Sequence, residues 1–274
     1  MRCIVRTLCL LALTAGAPGA DVGAAGLPVW EAGVTGGVGR VSDYPGAAQV
    51  HTRSIMLPML IVRGPVWRVD ADGVRGRLFA SRDWEADLSA TAAFNAKGNQ
   101  ARDGMPDLDY LFGLGPQLVY KGWSDRSGRP TLHLKLRALM STNGRRIDRR
   151  GASFDPELRW QLVPPGPRDV DLTLWLQASW ASAGLQRYFY EVGAADVTPA
   201  RGLHAARAGY LGTEAGLTWT QRPRPGWSWF ATARARSLHG AANLASPLLE
   251  SRRDVSLGIG FAWTPWRSRT LVTD

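Results

Sequence analysis

Chemistry in this chain would have to come from few residues, beginning with its four histidines, His51, His133, His204 and His239. None is spaced with a carboxylate or a second histidine as a metal pair. His133 is the best catalytic candidate, since alternation puts it beside Lys135 on a face predicted to line an interior. A structural histidine is the simpler reading of it. Of the acidic groupings, Ser42-Asp43 reads as a loop turn before Tyr44-Pro45-Gly46. Asp103, Asp107 and Asp109, within Arg102-Asp103-Gly104-Met105-Pro106-Asp107-Leu108-Asp109, can hold Ca²⁺ through carboxylates, but a turn entering a strand is preferred. No Ser/His/Asp set, P-loop or dinucleotide motif assembles. Catalytic, cofactor-binding and metal residues are therefore assigned as none, and the reading is of a protein that is not an enzyme.

Export is written at the N-terminus. Met1 to Arg6 carries two arginines, Leu8 to Leu13 is apolar, and Thr14 to Ala25 is small, which is the layout of a secretory signal peptide. Residues 1–25 are assigned to it, with cleavage after Ala20 or Ala25. Both cysteines, Cys3 and Cys9, lie in this leader, so the exported part has no disulfide or thiolate site to draw on. Net charge is +10, which in a cytosolic protein would suggest nucleic acid. Here the arginines are scattered along strands and the leader removes that context, so no nucleic-acid partner is expected. The one basic cluster, Arg145-Arg146-Ile147-Asp148-Arg149-Arg150 after Asn143-Gly144, reads as a solvated turn, with attraction to anionic lipid headgroups as the sharper alternative.

The elements that would hold these residues alternate with period two. After the leader no run approaches the roughly 18 apolar residues of a spanning helix, but a closed barrel can also cross a membrane. Val255, Leu257, Ile259, Phe261 and Trp263 share one face against Ser256, Gly258, Gly260 and Ala262. The same pattern runs through 84–95, 131–140, 154–162 and 170–180, with similar runs at about 108–121, 210–220 and 227–236. A soluble sandwich with one wet face also alternates. Run length, run number and aromatic placement favour the barrel: of twelve tryptophans, Trp84, Trp123, Trp160, Trp180, Trp219, Trp227, Trp263 and Trp266 lie near strand ends, as interfacial girdles require.

Apolar faces toward lipid would put Glu85, Asp87, Lys135, Arg137, Asp155, Glu157, Arg159, Glu214, Arg234 and Arg236 inside, where opposite charges can pair. Such an interior is either a salt-bridged plug, the preferred form, or a narrow wet passage. Turns fall at Asp70-Ala71-Asp72-Gly73, Asn143-Gly144, Pro164-Pro165-Gly166-Pro167 and Arg222-Pro223-Arg224-Pro225-Gly226. The expectation is one all-β domain over 26–266, an antiparallel transmembrane barrel of the outer membrane with about 12 strands, or 10. The uncertain stretches are 51–80, broken by Pro58, Gly64 and Pro65, and 182–192.

A series of short motifs carries a family resemblance. Pro28-Val29-Trp30-Glu31-Ala32-Gly33, Asp43-Tyr44-Pro45-Gly46, the run from Val69 to Phe79, and Arg102 to Asp109 with Gly113-Leu114-Gly115-Pro116 occur in order. Tyr188-Phe189-Tyr190 with Thr198-Pro199, Leu238-His239-Gly240-Ala241 with Ser246-Pro247-Leu248, and the closing strand Ser256 to Trp263 follow. Together, across roughly 28–266, they resemble the MipA/OmpV family of outer-membrane proteins. The resemblance implies a cell outer-membrane barrel scaffolding murein synthesis, with a lytic transglycosylase and a bifunctional, penicillin-binding peptidoglycan synthase as partners beside outer-membrane lipids. The barrel assembly machinery would insert it. It supplies no catalytic residues and no cofactor. A narrow pore or uptake channel for small solutes is the alternative function. One departure is the polar tail, 267–274, where such barrels usually end on an aromatic residue; the tail is expected to be mobile and periplasmic.

Overall fold

The computed structural model describes residues 27–63, 67–70, 73–76, 79–81, 83–122, 129–162 and 170–272. The leader, Trp123, the middle of the turn at 70–73 and the proline-rich turn at 164–167 lie outside them. In chain order the elements are β1 (Leu27–Pro28), β2 (Trp30–Ser42), β3 (Val50–Arg63), β4 (Trp67–Asp70), β5 (Gly73–Gly76), β6 (Phe79–Ala80), β7 (Trp84–Ala93) and β8 (Tyr110–Tyr120). Then come β9 (Arg129–Thr142), β10 (Ile147–Leu162), β11 (Val170–Ala181), the helix α1 (Ala183–Tyr190), β12 (Gly209–Arg224), β13 (Trp227–Ser237), β14 (Arg253–Arg267) and β15 (Leu271–Val272).

Neighbours in sequence pair as antiparallel hairpins, and β14 returns to pair with β2, giving a single sheet in the order β5-β4-β3-β2-β14-β13-β12-β11-β10-β9-β8-β7-β6. Its two ends meet because β5 lies alongside β7. The curled sheet has ten long strands, so the expected twelve is corrected to the alternative of ten. The extra pair is β4 and β5, four residues each. At about 3.3 Å per residue they are too short to cross an apolar band about 25 Å tall. Among the described residues no ladder pair joins β3 directly to β7, and Pro58 suits a strand with one fully paired edge.

Outward positions are apolar and exposed: Met56 is 68% exposed, Ile259 61%, Leu136 52% and Leu176 51%. Inward positions are mostly polar or small, with larger side chains such as Val119, Trp175 and Phe230 among them. In water a wall of this extent would aggregate; in hydrocarbon it is the favourable surface, and the antiparallel ladders satisfy the backbone. Trp30, Trp84, Trp160, Trp229, Trp263 and Trp266 stand outward near the end that carries the chain termini, while Trp180 packs between Phe154 and Tyr210 near the other end. The polar tail is tied down as far as Val272. Leu271 pairs with Pro28 and Val272 with Leu27, and the Ser268 and Val29 amides donate to the Trp30 and Thr270 carbonyls. As far as Val272 the tail expected to be mobile is a clasp, which follows on from the Arg267–Glu31 pair of β14 and β2.

The uncertain stretch 182–192 is α1, whose Leu185, Phe189 and Tyr190 are buried. Its start is fixed at the β9–β10 hairpin, where a bulge falls between Arg149 and Gly151. Gly151 has φ of 121°, and a Cβ there would stand 2.1 Å from the Ser182 hydroxyl that accepts the Ala152 amide. Gly151→Val should therefore combine left-handed backbone strain of about 1–2 kcal/mol with a clash that displaces α1. Heat-modifiable mobility should persist while proteolysis in 182–208 speeds up; a protease pattern like that of the parent would contradict this.

Candidate functional site

Two layers occupy the barrel, a charged lumen and a capped mouth. Register creates the first. Lys135 faces Asp155, and His133 faces Glu157, across the β9–β10 ladder. Lys135 Nζ donates to Glu157 Oε2 at 2.6 Å, and Arg159 Nε donates to Glu157 Oε1 at 3.0 Å. Arg137 donates to Asp155 Oδ2 at 3.1 Å and twice to the Ser89 hydroxyl on β7, at 3.0 and 2.7 Å. Further round, Glu214, Arg236 and Asp254 lie in one cross-strand row. Arg236 Nε donates to Glu214 Oε1 at 2.6 Å, and its guanidinium is 3.7 Å from Asp254. Nearer the termini Arg222 pairs with Asp171, and Lys121 with Glu85. Lys135 is 3% and Glu157 2% exposed. Charges so buried persist only when paired, because desolvation costs several kcal/mol per ion. Trp175 also points inward, its ring lying over Gly216, where a Cβ would meet it at 2.3 Å.

The second layer is built by the loops at the end away from the termini, 43–49, 94–109, 182–208 and 238–252. Tyr44, Ala47, Ala96, Leu108, Leu185, Phe189, Tyr190, Leu238 and Leu249 form its apolar core. Polar groups knit the loops over it. The Tyr44 hydroxyl donates to the Leu248 carbonyl and the Tyr190 hydroxyl to the Pro45 carbonyl, both at 2.8 Å. Arg102 donates to the Phe189 carbonyl, and Arg201 to those of Ala101 and Asp103. Burial pushes the Tyr44 and Tyr190 phenols well above the ordinary tyrosine range, which keeps both neutral as donors. The same burial lowers the Arg102 pKa.

All ten charges expected inside sit on inward-facing strand positions. His133 is there too, with Nε2 2.8 Å from the Thr131 hydroxyl. His204 approaches Asn243 within the cap, and His239 is exposed. The segment Arg102 to Asp109 is a turn entering β8: Asp107 accepts the Gly98 amide and the Asp109 carbonyl accepts the Tyr188 hydroxyl. Among the described residues no three His, Cys, Asp or Glu side chains converge as a metal site. Asp43 was underestimated as a plain turn residue. Its buried carboxylate takes His51 Nδ1 at 2.6 Å, Arg53 at 3.4 Å and Asn99 Nδ2 at 2.9 Å, fastening the 94–109 loop to the β2–β3 hairpin. The signal was present, since Ser42 pairs with Val50 and so puts 43 and 51 at one hairpin mouth. The proline turn at 222–226 is also shorter than expected, because β12 runs through a bulge to Arg224.

The model of the family described as MltA-interacting protein MipA matches residues 34–265, from within β2 to near the end of β14. The chain belongs to the MipA family. It is an outer-membrane barrel. No curated protein matches the sequence. Solved structures similar in form include the NanC porin, at 10% identity and TM-score 0.42 over 84% of this chain and 99% of that one. An outer membrane channel from Pseudomonas putida F1 gives 12% and 0.46 over 90% and 98%. The translocator domain of the autotransporter NalP from Neisseria meningitidis gives 12% and 0.35 over 89% and 90%. The family match and the strand order, rather than these distant likenesses, carry the assignment.

For this MipA-family barrel the lumen pairs make a sharp prediction. Glu157→Leu strands Lys135 and Arg159 beside Arg137 and should destabilise by about 3–5 kcal/mol, read from urea unfolding in lipid vesicles. Adding Lys135→Met should restore much of the loss; a double variant as weak as the single one would contradict the pairing. In the cap, Tyr190→Ala should cost about 3–5 kcal/mol locally. Loops 182–208 and 238–252 should become protease-sensitive while the barrel stays folded.

Proposed function

We propose that this barrel is a non-enzymatic scaffold that holds a lytic transglycosylase close to a bifunctional peptidoglycan synthase at the outer membrane. The observation that carries the proposal is the family match across 34–265, to a family described by its interaction with a lytic transglycosylase. The chemistry of the barrel supports it: the buried lumen charges Lys135 and Glu157, Arg137 and Asp155, and Arg236 and Glu214 are paired with one another, and the loops at one mouth pack into a cap. Surface is what remains for a partner. Peptidoglycan enzymes work on the periplasmic side, which for such barrels is the end of the termini and short turns. The clasp of β1 with β15, with exposed Arg269 beside it, offers a fixed edge there.

The pore reading draws on the same polar lumen, and planar-bilayer recording separates the two. A sealed scaffold gives no conductance at any applied voltage, whereas steady unitary currents would favour the channel. Binding is tested on the purified barrel with Arg269→Cys or Leu203→Cys, each carrying a photocrosslinker. The transglycosylase should be captured from position 269 and not from position 203 in the cap. Capture from neither position would overturn the scaffold.

A further inference from the structure

Among the described residues the outer wall holds a concavity that neither the scaffold nor the lumen uses. On β8 to β11 large residues such as Leu114, Leu134, Leu158 and Leu174 take many outward positions, but on β3, β2, β14, β13 and β12 the outward positions include Gly36, Ser54 and Ala231. Register sets Gly36 beside Met56 and Phe261, and Ala231 beside Trp219 and Ile259. The large side chains stand as walls around a small floor, leaving a groove of about 690 Å³ on the lipid-facing side. Its lining is almost wholly apolar.

A charge stands above it. Arg40 is the next outward residue of β2 beyond Val38 in the groove, and Thr52 is its cross-strand neighbour. Both are exposed. Four residues along β14 from Leu257, the other partner of Arg40, stands Arg253, also exposed. Among the described residues neither guanidinium makes a hydrogen bond or ion pair, in contrast to the paired arginines of the lumen. Depth gives the pair meaning. Trp30 and Arg40 are the two ends of one outward row on β2. Ten residues of strand span about 33 Å, which at barrel tilt is about the 25 Å height of the apolar band. Arg40 is therefore at headgroup depth, and Gly36 about 10 Å below it in hydrocarbon. The long, capped loops mark this end as the outer one.

We propose that this face binds an anionic, phosphate-bearing lipid of the outer leaflet. The headgroup phosphate sits on Arg40 and the Thr52 hydroxyl, with Arg253 above, and one acyl chain lies in the groove against Trp219 and Trp229. A guanidinium satisfies a phosphate with paired donors, and the groove replaces loose lipid contacts by a fitted one. A second copy of the chain would leave Arg40 and Arg253 facing one another's charge, which disfavours a self-association seam here.

The experiment uses the full barrel in detergent, with phosphatidic acid and diacylglycerol carrying the same brominated acyl chains as probes, since bromine quenches the tryptophans it touches. Phosphatidic acid should quench at lower concentration than diacylglycerol. Arg40→Gln should raise its half-quenching concentration about fivefold, the weight of one basic residue at an anionic surface, and Ala231→Leu, which fills the groove, should remove the tight phase. Heat-modifiable mobility confirms that each variant is folded. Equal quenching of parent and variants, or by both lipids, overturns the site. Full displacement by inorganic phosphate would show an anion site without an acyl groove and also overturn it. So would a dimer, seen in native mass spectra, that Ala231→Leu dissolves.

Discussion

A strand in hydrocarbon has no water to satisfy its amides, so a chain that crosses a membrane as strands must pair each with a neighbour and close the sheet on itself. Here closure runs through the β14–β2 ladder, which joins the end of the chain to its beginning. The clasp of β15 on β1 extends that join past the wall. Period-two geometry does the rest: once the ladder is fixed, every second side chain faces lipid and every other one faces inward. The seam between β3 and β7 is where closure is least regular. There Arg53 donates to the Asn95 carbonyl and pairs with Asp43, so side chains fasten what the described ladders do not.

Turning the polar face inward creates the second problem. The interior gathers at least the ten expected charges together with Asp171, Asp254, Arg222 and Lys121, and each buried unpaired one would cost several kcal/mol. Mixed signs on facing strands resolve this, with both oxygens of Glu157 occupied and Glu214 held by Arg236 and Arg234. The cap rests directly on this layer. Tyr190, at the end of α1, lies close to Arg236 and Asp254 below and reaches Pro45 above, linking charged lumen to apolar plug.

Much of this was legible in the residues. Strands such as Val170–Ala181 and Arg129–Thr142 alternate cleanly because bulky side chains mark one face, and their inward charges were placed correctly. β2 was harder to see: Gly33, Gly36, Gly37 and Gly39 leave its two faces alike in sequence, although the same glycines let β14 approach closely. β3 was obscured by Pro58, and α1 by its brevity, since one apolar face over eight residues is too short a period to stand out. The Asp43 hub depends on residues distant in sequence, Asn99 above all, and long-range pairing leaves no local pattern. The tail looked polar and free because its partner, Leu27–Pro28, is at the opposite end of the chain.

The central claim is the inversion of faces, apolar side to lipid and charged side to the interior. Spin labels on single cysteines along β11, introduced into a chain whose only native cysteines are Cys3 and Cys9, test it in reconstituted membranes. Leu172, Leu174, Leu176 and Ala178 should be accessible to oxygen and closed to an aqueous nickel complex, while Thr173, Trp175, Gln177 and Ser179 should be sheltered from lipid-dissolved oxygen. A two-residue oscillation in this sense is the predicted result; equal aqueous access on both faces would contradict the account.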